Sequence, residues 1–173
     1  MKEQKTMTNA IVYSSTTGNT KLLAETIQKE LPRDSLLYFG PPREEALKAD
    51  RIYVGFWTDK GSCDRQTSAF LKMLTNQEVY LFGTAGFGEN REYFEKVLKR
   101  TKKFIPKGVP MVDCFMCQGK MPMTVRQRYE KMMKRPIRIP NLRGMIENFD
   151  KALSHPNQED LDMLRQKLSR LST

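Results

Sequence analysis

Short apolar runs alternate with longer amphipathic stretches over the first two thirds of the chain. Asn9–Tyr13 ("NAIVY") predicts a buried strand. Behind it Leu23, Ala24, Ile27 and Leu31 recur at helical spacing, and Pro32 ends the stripe. Further strands are predicted over Ser35–Phe39, Arg51–Phe56, Glu78–Thr84 and Pro110–Cys117. Phe70, Leu71 and Leu74, then Phe94, Val97 and Leu98, mark helices between them. Three more helical stripes follow. Val125, Tyr129, Met132 and Met133 run up to Pro136; Leu142, Ile146, Phe149 and Leu153 come next. Leu161, Leu164, Leu168 and Leu171 close the chain behind "HPNQED", whose proline and acids favour a helix start.

Strands alternating with helices imply right-handed crossovers and a parallel sheet covered on both faces. With 173 residues there is room for one domain with a sizeable core, and no repeat or linker divides it. The expected fold is α/β: a doubly wound five-stranded parallel sheet in the order 2-1-3-4-5, one domain over 1–173. A helical C-terminal extension ends in a helix over 157–171.

In such sheets ligands sit beyond the carboxyl ends of the strands, where strand order reverses. The three most unusual loops, 14–20, 57–64 and 84–90, follow the first, third and fourth strands and are expected side by side there. The first, within "YSSTTGNT", packs five Ser and Thr hydroxyls, Gly18 and Asn19 ahead of a helix. Free N–H groups at a helix start favour an anion, and a loop without Lys or Arg suits a terminal phosphate monoester. The Lys-Ser/Thr of a P-loop and the GxGxxG of dinucleotide folds are both missing. The bland alternative is an elaborate N-cap.

"STTGNT" after a first strand resembles the FMN phosphate loop of the flavodoxins, Ser/Thr-x-Thr-Gly-x-Thr. The likeness is close over 9–31 and holds in layout to about residue 117. The resemblance implies a flavodoxin-like fold with FMN as cofactor, its phosphate held by Ser15, Thr16, Thr17, Gly18, Asn19 and Thr20. It further implies that the ring system lies between the other two loops, against Trp57 with Thr58 and against Phe87. Gly61 is then the flexible peptide beside the flavin N5, and Thr84, Ala85, Gly86 and Gly88 offer backbone groups to the pyrimidine edge. The combination of "GFWTDKG", "GTAGFGE" and "CQGKMP" is similar to small flavodoxin-like proteins of anaerobic bacteria, some encoded beside bilirubin reductases.

The chain departs from that family in charge. Flavodoxins are typically acidic, whereas the net charge here is +10. Eight basic residues between Lys120 and Arg143, against Glu130 alone, supply +7 of it. They fall largely in a basic insertion, 118–141, between the fifth strand and an expected fifth helix, Leu142–Leu153. So concentrated a charge suggests a docking surface for redox partner proteins, with a plain solvated face as the alternative. Nucleic acid is not expected, since Tyr129 is the lone aromatic there and no recognition motif accompanies it.

Other chemistry finds little support. Cys114 and Cys117 have redox-pair spacing but sit on a strand, where residues three apart face opposite ways. Cys63 is expected as an exposed or half-buried thiol, and the single His155 as part of a helix boundary. No metal site or catalytic triad assembles from these residues. The start "MKEQKTMTNAIVYSS" lacks an apolar stretch for a signal peptide or a membrane span, so the expected location is cytoplasmic. The expected function is electron transfer between soluble partners by bound FMN, in a monomer or a dimer. The alternatives are an FMN-dependent NAD(P)H oxidoreductase acting on a quinone or tetrapyrrole-like substrate, and a flavin-free interaction protein.

Overall fold

The apolar runs build one sheet. In the computed structural model, which describes residues 5–88 and 90–172, β1 (Asn9–Tyr13) pairs in parallel with β2 (Leu36–Gly40) and β3 (Arg51–Asp59). The short β4 (Ser62–Cys63) folds back antiparallel onto β3, while β5 (Glu78–Ala85) and β6 (Met111–Gln118) extend the parallel ladder. The order is β2-β1-β3-β5-β6, which is 2-1-3-4-5 among the five parallel strands, as expected. Glu89, inside the third of the predicted loops, lies outside the described residues.

Alternation along the strands divides the core in two. On one face Ala10, Val12, Val54, Phe56 and Leu81 pack with Phe70 and Leu71 of α2 (Arg65–Leu71) and with Val97 and Leu98 of α3 (Arg91–Lys102). On the other, Ile11, Tyr53, Tyr80, Phe82 and Phe115 pack with Leu23, Ala24 and Ile27 of α1 (Asn19–Glu30). Two aromatic rings lock the central strands together. Gly55 lies opposite Phe82 and Phe56 opposite Gly83, so each ring covers a glycine of its neighbour, once on each face.

The helical C-terminal part corrects one expectation. Two further helices, α4 (Met123–Met133) and α5 (Leu142–Ala152), pack on each other, and Tyr129, Leu142, Phe149 and Ala152 are buried outside both sheet cores. The fifth helix of the sheet is instead α6 (Gln158–Ser169), whose Leu164 and Leu168 complete the α1 face. Asn157 and Asp160 cap it reciprocally, Arg165 reaches Glu30 of α1 at 3.2 Å, and Lys167 reaches Asp113 of β6 at 3.3 Å. The segment between β6 and α6 is therefore a helical hairpin set beside the sheet, longer than the basic stretch alone suggests.

Cys63 corrects another: it is buried in the α2/α3 core, and burial pushes its thiol up to about 11. Cys114 packs on that same face and Cys117 on the opposite one, both as free thiols.

Candidate functional site

The chain leaves β1 through Ser14, whose N–H donates to the Gly55 carbonyl at 3.0 Å and so keeps the loop in register with β3. Gly18 turns the chain into α1 with φ +86°, a left-handed conformation that a side chain rarely adopts. Its N–H donates to Ser15 Oγ at 3.1 Å, and nothing lies within 4 Å of where a Cβ would stand. No side chain caps α1 and no acid occupies its first turn, whereas Asp64, Asn90 and Asn157 cap α2, α3 and α6. The first amides of α1 thus keep their donors for an outside acceptor, in the positive end of the helix dipole. Ser15 and Thr17 are half-buried and Thr16 is exposed, so the loop adds hydroxyls around an open cradle.

Asn19 and Thr20 direct their side chains elsewhere. Asn19 is buried and donates its amide to the Lys120 carbonyl at 2.8 Å. Thr20, fully buried, donates to the Phe56 carbonyl at 3.1 Å and shares a hydrogen bond with the Thr84 hydroxyl at 3.0 Å. Both side chains tie the first loop to its neighbours, and what they leave to a ligand is backbone N–H.

At the end of β3, Trp57 is half-buried and in register with Thr84. The neighbouring Phe56 belongs to the α2/α3 core, so alternation sets Trp57 on the α1 face with Thr20 and Thr84. Thr58 donates its hydroxyl to the Thr84 carbonyl at 2.8 Å. Beyond it Lys60 and Gly61, at φ +50° and +81°, make the two-residue turn that joins β3 to β4. The Gly61 carbonyl accepts from Arg100 of α3 at 3.3 Å, and the Cys63 N–H donates to the Thr101 hydroxyl at 3.1 Å. This hairpin leans on α3, and no hydrogen bond among the described residues joins Gly61 to the first loop.

The end of β5 is held by residues that sequence reasoning missed. The Ala85 carbonyl accepts from the Gly119 N–H at 3.0 Å. The Gly86 carbonyl accepts from Gln118 Nε2 at 2.9 Å and from Asn148 Nδ2 at 3.0 Å, while Gln118 also donates to Asn148 Oδ1 at 3.1 Å. Met121 lies so close to Gly86 that a Cβ there would stand 2.5 Å from its Cγ. Phe87 stays 42% exposed, and Gly88 packs against Phe94. An open depression separates this loop from α5, lined by Phe87, Tyr93, Asn141, Met145 and Asn148. A second lies at the start of α1, where Thr17 and Gly18 face Lys120, Leu153 and His155. Gln118 alone carried a signal in the sequence, as a polar residue ending an apolar strand. Asn148 carried none.

Thr84, Ala85, Trp57, Thr58 and the 15–20 loop therefore meet at one end of the sheet, with Gly86, Phe87 and Gly88 on its α5 side. The thiols add no redox pair: Cys117 is deprotonated only well above the usual thiol range because it is buried. Among the described residues no three His, Cys, Asp or Glu side chains are grouped to hold a metal, and no helix is long and apolar enough to cross a membrane.

The family model for the flavodoxin domain matches residues 10–169. The chain is 37% identical over 172 residues to a flavodoxin-like domain-containing protein BilS of Clostridium symbiosum, covering 90% of each. Among solved structures it is similar to the flavodoxin of Streptococcus pneumoniae, with a TM-score of 0.52 at 18% identity over 83% of this chain and 97% of that one. A flavoprotein of Lactobacillus acidophilus, solved in complex with FMN, gives a TM-score of 0.50 at 15% identity over 64% of this chain and 93% of the other.

Proposed function

We propose that this chain, which belongs to the flavodoxin family, binds FMN at the carboxyl end of its sheet and passes electrons between protein partners. The observation that carries this reading is the start of α1: an uncapped, acid-free helix end behind the hydroxyl-rich 14–18 loop, opening beside the ends of β3 and β5. Neutral donors around a helix start suit a phosphate monoester. FMN, when bound, supplies the electron chemistry.

The residues of the chain bind, orient and shield. Ser15, Thr16 and Thr17 offer hydroxyls to the phosphate, and Asn19 and Thr20 offer backbone N–H groups. Gly18, whose own N–H is held by Ser15 Oγ, makes the turn that lets the phosphate approach. Lys120, at the rim of the depression beside Gly18, adds positive charge that the loop itself lacks. Trp57 and Phe87 supply apolar faces for the ring system, with Thr58 and Thr84 beside them. Ala85, Gly86 and Gly88 face its polar edge through backbone groups, and Gly61 stands at the hairpin tip on the α3 side. The basic segment Lys120–Arg143 receives the partner.

Reconstitution tests the reading. Apoprotein mixed with FMN and gel-filtered is expected to retain flavin. After photochemical reduction it should reduce ferricyanide, at a rate that falls as salt rises. Rapid consumption of NADH or NADPH by the holoprotein alone would instead make it a reductase, and a colourless protein would end the proposal.

A further inference from the structure

The hairpin formed by α4 and α5 carries most of the excess charge, yet its cations are not alike. Arg126 is engaged, bridging Glu130 and Asp150 while its guanidinium lies 5.8 Å from the Phe149 ring centre. Arg135, Arg138 and Arg143 are exposed and make no ion pair among the described residues. All three line one groove at the turn of the hairpin, together with Met133, Ile137 and Ile139. Ile137 is 74% exposed and Met133 51%, large apolar side chains standing among unpaired arginines.

Such a combination is unfavourable on a surface with no partner: apolar area stays in water while like charges crowd together. We infer that this groove docks a partner protein presenting carboxylates around an aliphatic side chain. Arginines offer forked donors to the carboxylates, and Ile137 supplies the apolar anchor between them. A lipid surface is less suited. The apolar side of α4 is already used inside the hairpin through buried Tyr129, and the free apolar atoms line a concavity rather than a continuous helix face. Nucleic acid finds no aromatic ring in the groove on which to stack a base.

The groove also adjoins the candidate cofactor site. Asn141 and Gly144, in and before the first turn of α5, border both the groove and the depression beside Phe87. One turn further along the same helix, Asn148 of α5 holds the Gly86 carbonyl. A partner seated in the groove is therefore delivered to the loop after β5. This assignment rests on the flavin reading for its purpose, but the docking itself does not require flavin.

The test uses the full chain and a synthetic acidic peptide of glutamate and leucine, followed by fluorescence anisotropy. Wild type should bind it, and R135E/R138E should weaken binding about tenfold. I137S, which leaves charge unchanged, should weaken it about threefold or more. K29E/R33E, an equal change of charge away from the hairpin, should have little effect. Equal losses in K29E/R33E and R135E/R138E, or no loss in I137S, would overturn the assignment. So would preferential binding to vesicles of phosphatidylglycerol and phosphatidylcholine. FMN titration of the same proteins separates the two readings: peptide binding without flavin uptake sinks the proposed function and leaves the groove.

Discussion

The side-chain amide of Asn148 donates to the carbonyl of Gly86 at 3.0 Å, so a helix from the inserted hairpin holds the loop that follows β5. Gln118 donates to the same oxygen and to Asn148 itself, which closes a three-membered network at the end of the sheet. The insertion thus holds the β5 loop of the candidate site as well as presenting a surface beside it.

Asn148→Ala removes one of two donors to Gly86 and is expected to cost about 1 kcal/mol of stability. Asn148→Asp faces a carboxylate towards that carbonyl and should cost more. Both should weaken FMN, because the loop loses its fixed position. Thermal unfolding with and without FMN measures the two effects together.

Gly18→Ala meets open space but must hold φ +86°, so its cost is backbone strain of roughly 1 kcal/mol. The fold should survive and FMN affinity should fall. An unchanged affinity would mean that the turn into α1 does not shape the phosphate cradle.

Gly55→Ala and Gly83→Ala are different in kind. A Cβ at Gly55 would stand 2.3 Å from the Phe82 ring, and one at Gly83 2.4 Å from that of Phe56. Each is expected to destabilise by roughly 1–3 kcal/mol through overpacking. Phe56→Leu added to Gly83→Ala should recover part of the loss in urea unfolding.

These glycines illustrate how far the sequence could be read. The strands were legible because runs such as "NAIVY" and "EVYLFGT" have no other stable use, and their alternation with helical stripes left few topologies. The leucine stripe of α6 announced an apolar face, but periodicity does not say which surface it covers. Leu142 and Phe149 make an equally good stripe, but α5 packs it against α4 beside the sheet rather than on it. Asn19 and Thr20 read as ligand donors because the carbonyls of Lys120 and Phe56 are distant in sequence and invisible to any local pattern. The β3–β4 turn is hard to read from sequence, since Lys60-Gly61 is a weaker turn signal than Asn-Gly.

Burial holds the Cys63 thiol up at about 11 and raises that of Cys117. The folded state therefore keeps protons that the unfolded chain releases above its ordinary thiol value near 9. Stability from these groups is complete below that value and declines as pH rises towards 11. Urea midpoints at rising pH should fall across this window, and Cys63→Ala should flatten the decline. Iodoacetamide under native conditions should modify Cys114 ahead of both.

The central claim is that the start of α1 holds the phosphate of FMN. Titrating the apoprotein with FMN and with riboflavin, and following flavin fluorescence, isolates that group. Two charge-assisted hydrogen bonds to the phosphate already predict FMN binding at least about 100-fold tighter than riboflavin. Equal affinity for the two flavins, or none for either, would contradict the account.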